Sequence, residues 1–160
     1  VHRPHLLVPP LAVLLLLAGC TATPTVDEEA LADWRSAQEA ATETDPDVLG
    51  VLTADIQPGD EDPSEVGTGV TLRFPAAKAI DHLEFSCFGN GHMRGIVRIE
   101  SRGGSGDFTV DPVACRDSPN PIRLTRLAST DVDSVAFNGF DSDRSSAWRL
   151  VIVGTAPSAG

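Results

Sequence analysis

Near the start of the chain, apolar residues recur at three- and four-residue spacing: Leu31, Trp34, Ala37 and Ala41. That period predicts a helix with one narrow apolar stripe. Thr25 and Glu28 have the spacing of a capping box, and Asp27, Glu28 and Glu29 put negative charge where the helix dipole favours it. Pro46 ends the pattern. The expected helix is 26–43.

From Val48 the period changes to two. Val48 to Ile56 reads as a first strand, and Val70, Leu72 and Phe74, alternating with Thr71 and Arg73, as a second. Gln57 to Glu65 between them is an acidic Pro/Gly loop, and Pro75 to Ile80 is a connection. Asp81, Leu83, Phe85 and Cys87 then share one parity, and His82, Glu84 and Ser86 the other. Gly89-Asn90-Gly91 supplies a turn. A three-residue loop there pairs Cys87 with Met93, Phe85 with Gly95, Leu83 with Val97 and Asp81 with Ile99, so the apolar faces coincide. A hairpin is expected. It sets His82 opposite Arg98 and Glu84 diagonal to Arg94 and Arg98, a solvated charge ladder. Asp81 falls on the inward parity, where a strand-end carboxylate is expected to cap a loop.

Arg102 to Asp107 is another turn. Phe108 and Val110 precede Pro112, and Val113 and Cys115 follow it with opposite parity, a shift that a one-residue bulge at Pro112 reconciles. Ile122, Leu124 and Leu127 form a short segment, Val135 and Phe137 another, and Trp148, Leu150 and Ile152 a last one. Seven to eight short strands, with turn signals about every eight to twelve residues, predict a mainly β chain. The expected fold is an antiparallel β-sandwich over 48–154, preceded by one helix and followed by a small-residue tail, 155–160.

The first residues have a different character. His2, Arg3 and His5 precede an apolar run, Leu6 to Ala18, of 13 residues. A membrane-spanning helix needs about 20, so this is the length of a signal-peptide core. The run ends in Leu17-Ala18-Gly19-Cys20. That tetrad resembles the lipobox of bacterial lipoproteins, and the chain resembles small actinobacterial lipoproteins. The resemblance implies removal of 1–19, a diacylglycerol on the Cys20 thiol with further acylation of its amine, and a tether over 20–25. Two or three acyl chains hold a protein stably on a bilayer. The implied address is the extracytoplasmic face of the cell membrane, with the membrane itself a partner through the anchor.

Composition narrows the partners further. The 160 residues carry 12 Lys plus Arg against 23 Asp plus Glu, a formal charge of -11. Such a chain would approach phosphates against its own field, which excludes nucleic acid as a partner. With Cys20 lipidated, Cys87 and Cys115 are left, and export to an oxidising compartment makes a disulfide between them the expectation, with two free buried thiols as the alternative.

Candidate chemistry is sparse. His82 and His92 are the possible general bases, but there is no GxSxG elbow and neither has a nucleophile at a recognisable spacing. Trp34 and Trp148 lie on apolar stripes and are expected in the core. Asp131 and Asp133, and Asp141 and Asp143, form two Asp-X-Asp pairs, and Gly59 to Glu65 holds four acids; these are the metal candidates, of the oxygen-rich kind that calcium uses. No cofactor is expected. The reading is a non-enzymatic binding or interaction module of the cell envelope, taking an envelope protein or extracellular ligand. The alternatives are a calcium-dependent adhesion module and an envelope hydrolase using loop carboxylates.

Overall fold

The computed structural model describes residues 26–59 and 69–155. The expected leader 1–19, Cys20, the expected tether 20–25 with Thr25 of the expected capping box, the acids at 60–65 and the tail from 156 lie outside the described residues. Among the described residues no helix is long and apolar enough to cross a membrane.

The helix, α1, spans Glu28–Ala40. Asp27 is its N-cap, its Oδ1 accepting the Ala30 N–H at 3.0 Å. Eight strands follow: β1 (Val48–Ile56), β2 (Val70–Lys78), β3 (Ile80–Cys87), β4 (His92–Ser101), β5 (Gly104–Ala114), β6 (Asn120–Arg123), β7 (Val132–Phe140) and β8 (Ser146–Gly154). They form two four-stranded antiparallel sheets, sheet A in the order β1-β8-β3-β6 and sheet B in the order β2-β7-β4-β5. This is the strand order of a jelly roll, in which each connection crosses between sheets except β4 to β5. The expected β-sandwich is the observed one.

The core lies between the sheets. Leu52, Leu83, Phe85, Leu150 and Ile152 enter it from sheet A, and Met93, Val97, Ile99, Val135 and Phe137 from sheet B. Phe137 sits at the centre, its ring 5.0 Å from that of Phe85 and 4.8 Å from that of Trp148. Tilted and edge-on contacts of this kind match the quadrupoles of the rings and add to the apolar area they bury.

The hairpin expected at Gly89-Asn90-Gly91 is an arch. β3 pairs with β6 and β8 in sheet A, whereas β4 pairs with β5 and β7 in sheet B. The physical reason is that coincident apolar faces have two solutions. Strands side by side in one sheet share an inward face, but so do strands facing each other across the core. The parity of Leu83, Phe85, Met93 and Val97 fits both. The expected ladder therefore does not form: His82 is flanked by Arg123 and Val153, and Arg98 by Asp107 and Ala136.

Two of the bulges bear on parities read from the sequence. Met93 and Gly95 stand opposite Val113 and Val110, so β5 carries one extra residue around Pro112, as its sequence requires. Ile80 and His82 stand opposite Gly154 and Val153, so β3 carries an extra residue at Asp81. That bulge turns Asp81 out to solvent, away from the inward position its parity implied. The turn expected over Arg102–Asp107 shrinks to Arg102-Gly103, with Gly104 at φ 130°, a backbone region suited to glycine. β2 extends through the connection expected at Pro75 to Lys78. Leu127 sits in a one-turn helix, Arg126–Ser129, and is 87% exposed. The disulfide joins Cys87, at the end of β3, to Cys115, in a 3-10 turn directly after β5, with the Cα atoms 4.7 Å apart. It ties one sheet to the edge of the other.

Candidate functional site

β8 lies inside sheet A, and both of its faces are covered, by the core on one side and by α1 and its following turn on the other. Trp148, Leu150 and Ile152 face the core, and the residues between them face α1 on the other side. The first of these is Arg149. It is 6% exposed and is the one charged side chain in the buried set among the described residues. Its neighbours in the sheet are Thr53 on β1 and Ser86 on β3, both hydroxyls. Above it, Arg149 Nη1 donates to Gln38 Oε1 at 3.4 Å and Nη2 to Thr42 Oγ1 at 2.5 Å. These partners are neutral. Burial lowers the guanidinium pKa, and the charges of Glu39 and Glu84 oppose that shift from a distance without forming an ion pair. Arginine nevertheless stays protonated in any protein.

The helix is rolled to meet this charge. The stripe facing the sheet is Leu31, Trp34, Arg35, Gln38 and Thr42: Leu31 is buried, Trp34 meets Phe88 edge-on with centroids 5.9 Å apart, and Arg35 pairs with Asp55. Ala37 and Ala41, placed on the apolar stripe by spacing alone, are exposed. Trp34 is half-buried at the edge of a cleft and is not a core residue; Trp148 is, at 1% exposure. A stripe that mixes amide, hydroxyl and aromatic groups does not seal against a sheet. It leaves a cleft of about 540 Å³ on one side of the helix, walled by Trp34, Glu39, Glu43, Val51, Thr53 and Arg149. On the other side lies a chamber of about 300 Å³, bordered by His82, Glu84, Ser86 and Val151. Gln38, Thr42 and Arg149 line both, so the Gln38–Arg149–Thr42 bridge is the partition between them.

His82 lies on the wall of the smaller chamber. Its Nδ1 is 2.8 Å from Asp81 Oδ2 and its Nε2 is 3.3 Å from Glu84 Oε1. Burial works to lower the imidazole pKa, but the hydrogen bonds and charges of Asp81 and Glu84 outweigh it, and the net shift is upward. His92 is exposed beyond the arch, its backbone N–H donating to Asp143 Oδ1 at 3.0 Å.

The four aspartates of the calcium alternative are not brought together. Asp131 and Asp133 flank the first residue of β7, and Asp141 and Asp143 follow its last. Nine residues of extended strand separate the pairs by roughly 27 Å. Asp141 Oδ2 faces Arg94 Nη1 at 3.9 Å, and Asp143 bonds the His92 N–H and Arg144. Burial raises the Asp143 pKa, but these donors and the charges of Arg144 and His92 bring it below the usual range. Among the described residues no three or more His, Cys, Asp or Glu side chains converge on a common point.

Arg149 has no recognisable motif around it in the sequence. Its signal was present: a single charge inside the run Ala147 to Val153, which is otherwise entirely apolar. Alternation marks such a residue as outward, and outward on most strands means solvated. Only the placement of β8 inside sheet A, under α1, makes it buried. No protein-family model matches this chain, and no curated protein matches it.

Proposed function

We propose that this chain is a non-enzymatic binding module of the cell envelope, displayed on the extracytoplasmic face of the membrane by lipid on Cys20, with the cleft between α1 and sheet A as its binding site. Its partner is an extracellular ligand or an envelope protein that presents a group to this cleft. The observation that carries the reading is Arg149. A desolvated guanidinium held by an amide and a hydroxyl is an expensive way to build a sheet face, because an apolar side chain there would leave no charge to desolvate. It is a useful way to build a site, since neutral partners yield to a charged one. The cleft volume is within the range of small-molecule sites.

Two measurements test this. Intact mass of the membrane-extracted protein is expected to show a diacylglycerol adduct on Cys20, lost together with membrane retention in Cys20→Ala. Thermal melting of the full chain against cell-wall fragments, sugars, peptides and calcium is expected to yield a stabilising ligand. A ligand at a hundred times its dissociation constant adds about 2.7 kcal/mol. The shift is expected to vanish in Arg149→Met. The same shift in that variant would move the site away from this cleft.

A further inference from the structure

We propose that the cleft binds a small zwitterion of amino-acid or short-peptide size, its carboxylate on the Arg149 guanidinium and its ammonium between Glu39 and Glu43. The inference rests on the reading of this cleft as the binding site and assigns the chemistry of what fills it.

Arg149 supplies the anion half. A guanidinium presents a planar fork of donors that matches a carboxylate, and among the described residues this one holds Gln38 Oε1 at 3.4 Å and Thr42 Oγ1. Both acceptors sit on one face of α1 and its following turn, so an incoming carboxylate replaces them without disturbing the sheet. After displacement the Gln38 amide and the Thr42 hydroxyl can both donate to the same carboxylate.

The cation half comes from an arrangement that does not serve the helix. Glu39 and Glu43 stand one turn apart on the wall of the larger chamber, both exposed and neither in an ion pair among the described residues. Like charges at this spacing oppose helix formation. They also lie at the C-terminal end of α1, where the dipole favours cations, and the last turn contains no basic residue. A ligand ammonium there relieves both conflicts, since it meets two carboxylates and the negative end of the helix together. Trp34 and Val51 offer apolar wall for a side chain between the two charged ends.

The whole-chain charge argues in the same direction. At -11, with Glu39, Glu43 and Glu84 around Arg149, the protein repels a simple anion before it reaches the guanidinium. A ligand with its own positive charge is not repelled. Net-neutral molecules with both charges are therefore favoured over phosphate, citrate or a fatty acid.

The test is titration of the full chain with the twenty standard α-amino acids, glycine betaine and trialanine, followed by calorimetry and by amide shifts in NMR spectra. At least one member is expected to bind and to shift amides of α1 and β8. For that ligand, the amide lacking the carboxylate and the N-acetyl form lacking the ammonium are each expected to bind roughly tenfold to a hundredfold more weakly. Arg149→Met is expected to abolish binding. Glu39→Gln with Glu43→Gln, on an exposed face where folding is not at risk, is expected to bind the zwitterion more weakly and its N-acetyl form, an anion, as tightly as before or more tightly. If trialanine binds and free amino acids do not, the ligand is a peptide of the same chemistry. If acetate or inorganic phosphate binds in the cleft as tightly as any zwitterion, the zwitterion inference falls and the cleft reading stands. If no probe of any class moves the amides of α1 and β8, both fall.

Discussion

On the outer face of sheet B, Arg98 grips Asp107 through two bonds, Nε to Oδ1 at 2.8 Å and Nη2 to Oδ2 at 3.0 Å. Arg73 meets Glu100 at 3.6 Å, and Glu100 also accepts the Ser134 hydroxyl at 2.9 Å. Arg94 meets Asp141 at 3.9 Å and lies 5.0 Å from the Phe140 ring centroid. On the outer face of sheet A, Arg149 is more deeply buried than any of these and has no carboxylate bonded to it among the described residues. The arginines of sheet B are exposed or half-buried and each faces a carboxylate, though Arg94 reaches Asp141 only at 3.9 Å and its Nε is buried without a hydrogen-bond partner among the described residues. The buried one needs a partner most and has an amide and a hydroxyl. On sheet B each arginine has a carboxylate within 3.9 Å; Arg149 has none bonded to it. The unmatched face also carries the helix and the two chambers.

The largest expected effect is one that ignores the distinction. Phe137 touches both sheets through Phe85 and Trp148, so Phe137→Ala is expected to cost about 3–5 kcal/mol in denaturant melts and to loosen both faces together. A loss confined to sheet B in hydrogen exchange would show that the faces rest on separate cores. Next is the tie between sheets. With 28 residues of separation, removing the bridge by Cys87→Ser with Cys115→Ser is expected to cost about 3.5 kcal/mol. A melt unchanged by the double substitution would mean the arch holds the sheets without it.

Arg149→Met sharpens the comparison directly. It is expected to leave stability unchanged or raise it by about 1 kcal/mol, because a desolvated charge gives way to an apolar chain of similar length. Arg98→Met is expected to lower melting only slightly, and less still in high salt. A clear loss on Arg149→Met would make that residue a structural support and would remove the contrast.

The smallest effects concern pH, and they run in opposite directions on the two faces. The His82 pKa is raised in the fold, since the carboxylates beside it outweigh its burial. Its stabilisation is therefore full below the ordinary histidine value, about pH 6.5, and is lost as pH rises through the folded value. The Asp107 pKa is lowered, chiefly by its hydrogen bonds from Arg98. Its contribution is present above the ordinary carboxylate range and is lost as pH falls through the folded value. The stability gap between wild type and His82→Asn is expected to close on going from pH 6 towards pH 8. The gap for Asp107→Asn is expected to close only on acidification below about pH 4. Gaps that do not depend on pH would show that these side chains act through shape and not through charge.

Much of the fold was legible in the sequence because its signals are local. The alternation of Leu83, Phe85 and Cys87, or of Trp148, Leu150 and Ile152, needs only a strand with one face turned to the core. The parity change at Pro112 requires a bulge wherever the strand is placed. The site was less legible. The stripe Leu31, Trp34, Ala37 and Ala41 places the helix but not its roll, and the roll was set by Gln38 and Thr42 meeting Arg149, 107 or more positions away along the chain. Asp81 turned outward because of a bulge opposite Val153 and Gly154, residues its own neighbourhood does not contain.

The sequence by itself determined the strands, their inward residues, the helix, the bulge at Pro112 and the cysteine pair available for a bridge. Tertiary structure decided which strands are neighbours, that the Gly89-Asn90-Gly91 segment arches between sheets, and that Arg149 is buried under a helix. The division has a physical cause. Burying a face constrains each strand to a period of two whatever lies opposite, so the pattern is written locally. Which strand lies opposite depends on closing long loops around one shared core, and several closures satisfy the same pattern. The solvation of a single outward charge is fixed only once that closure has been made.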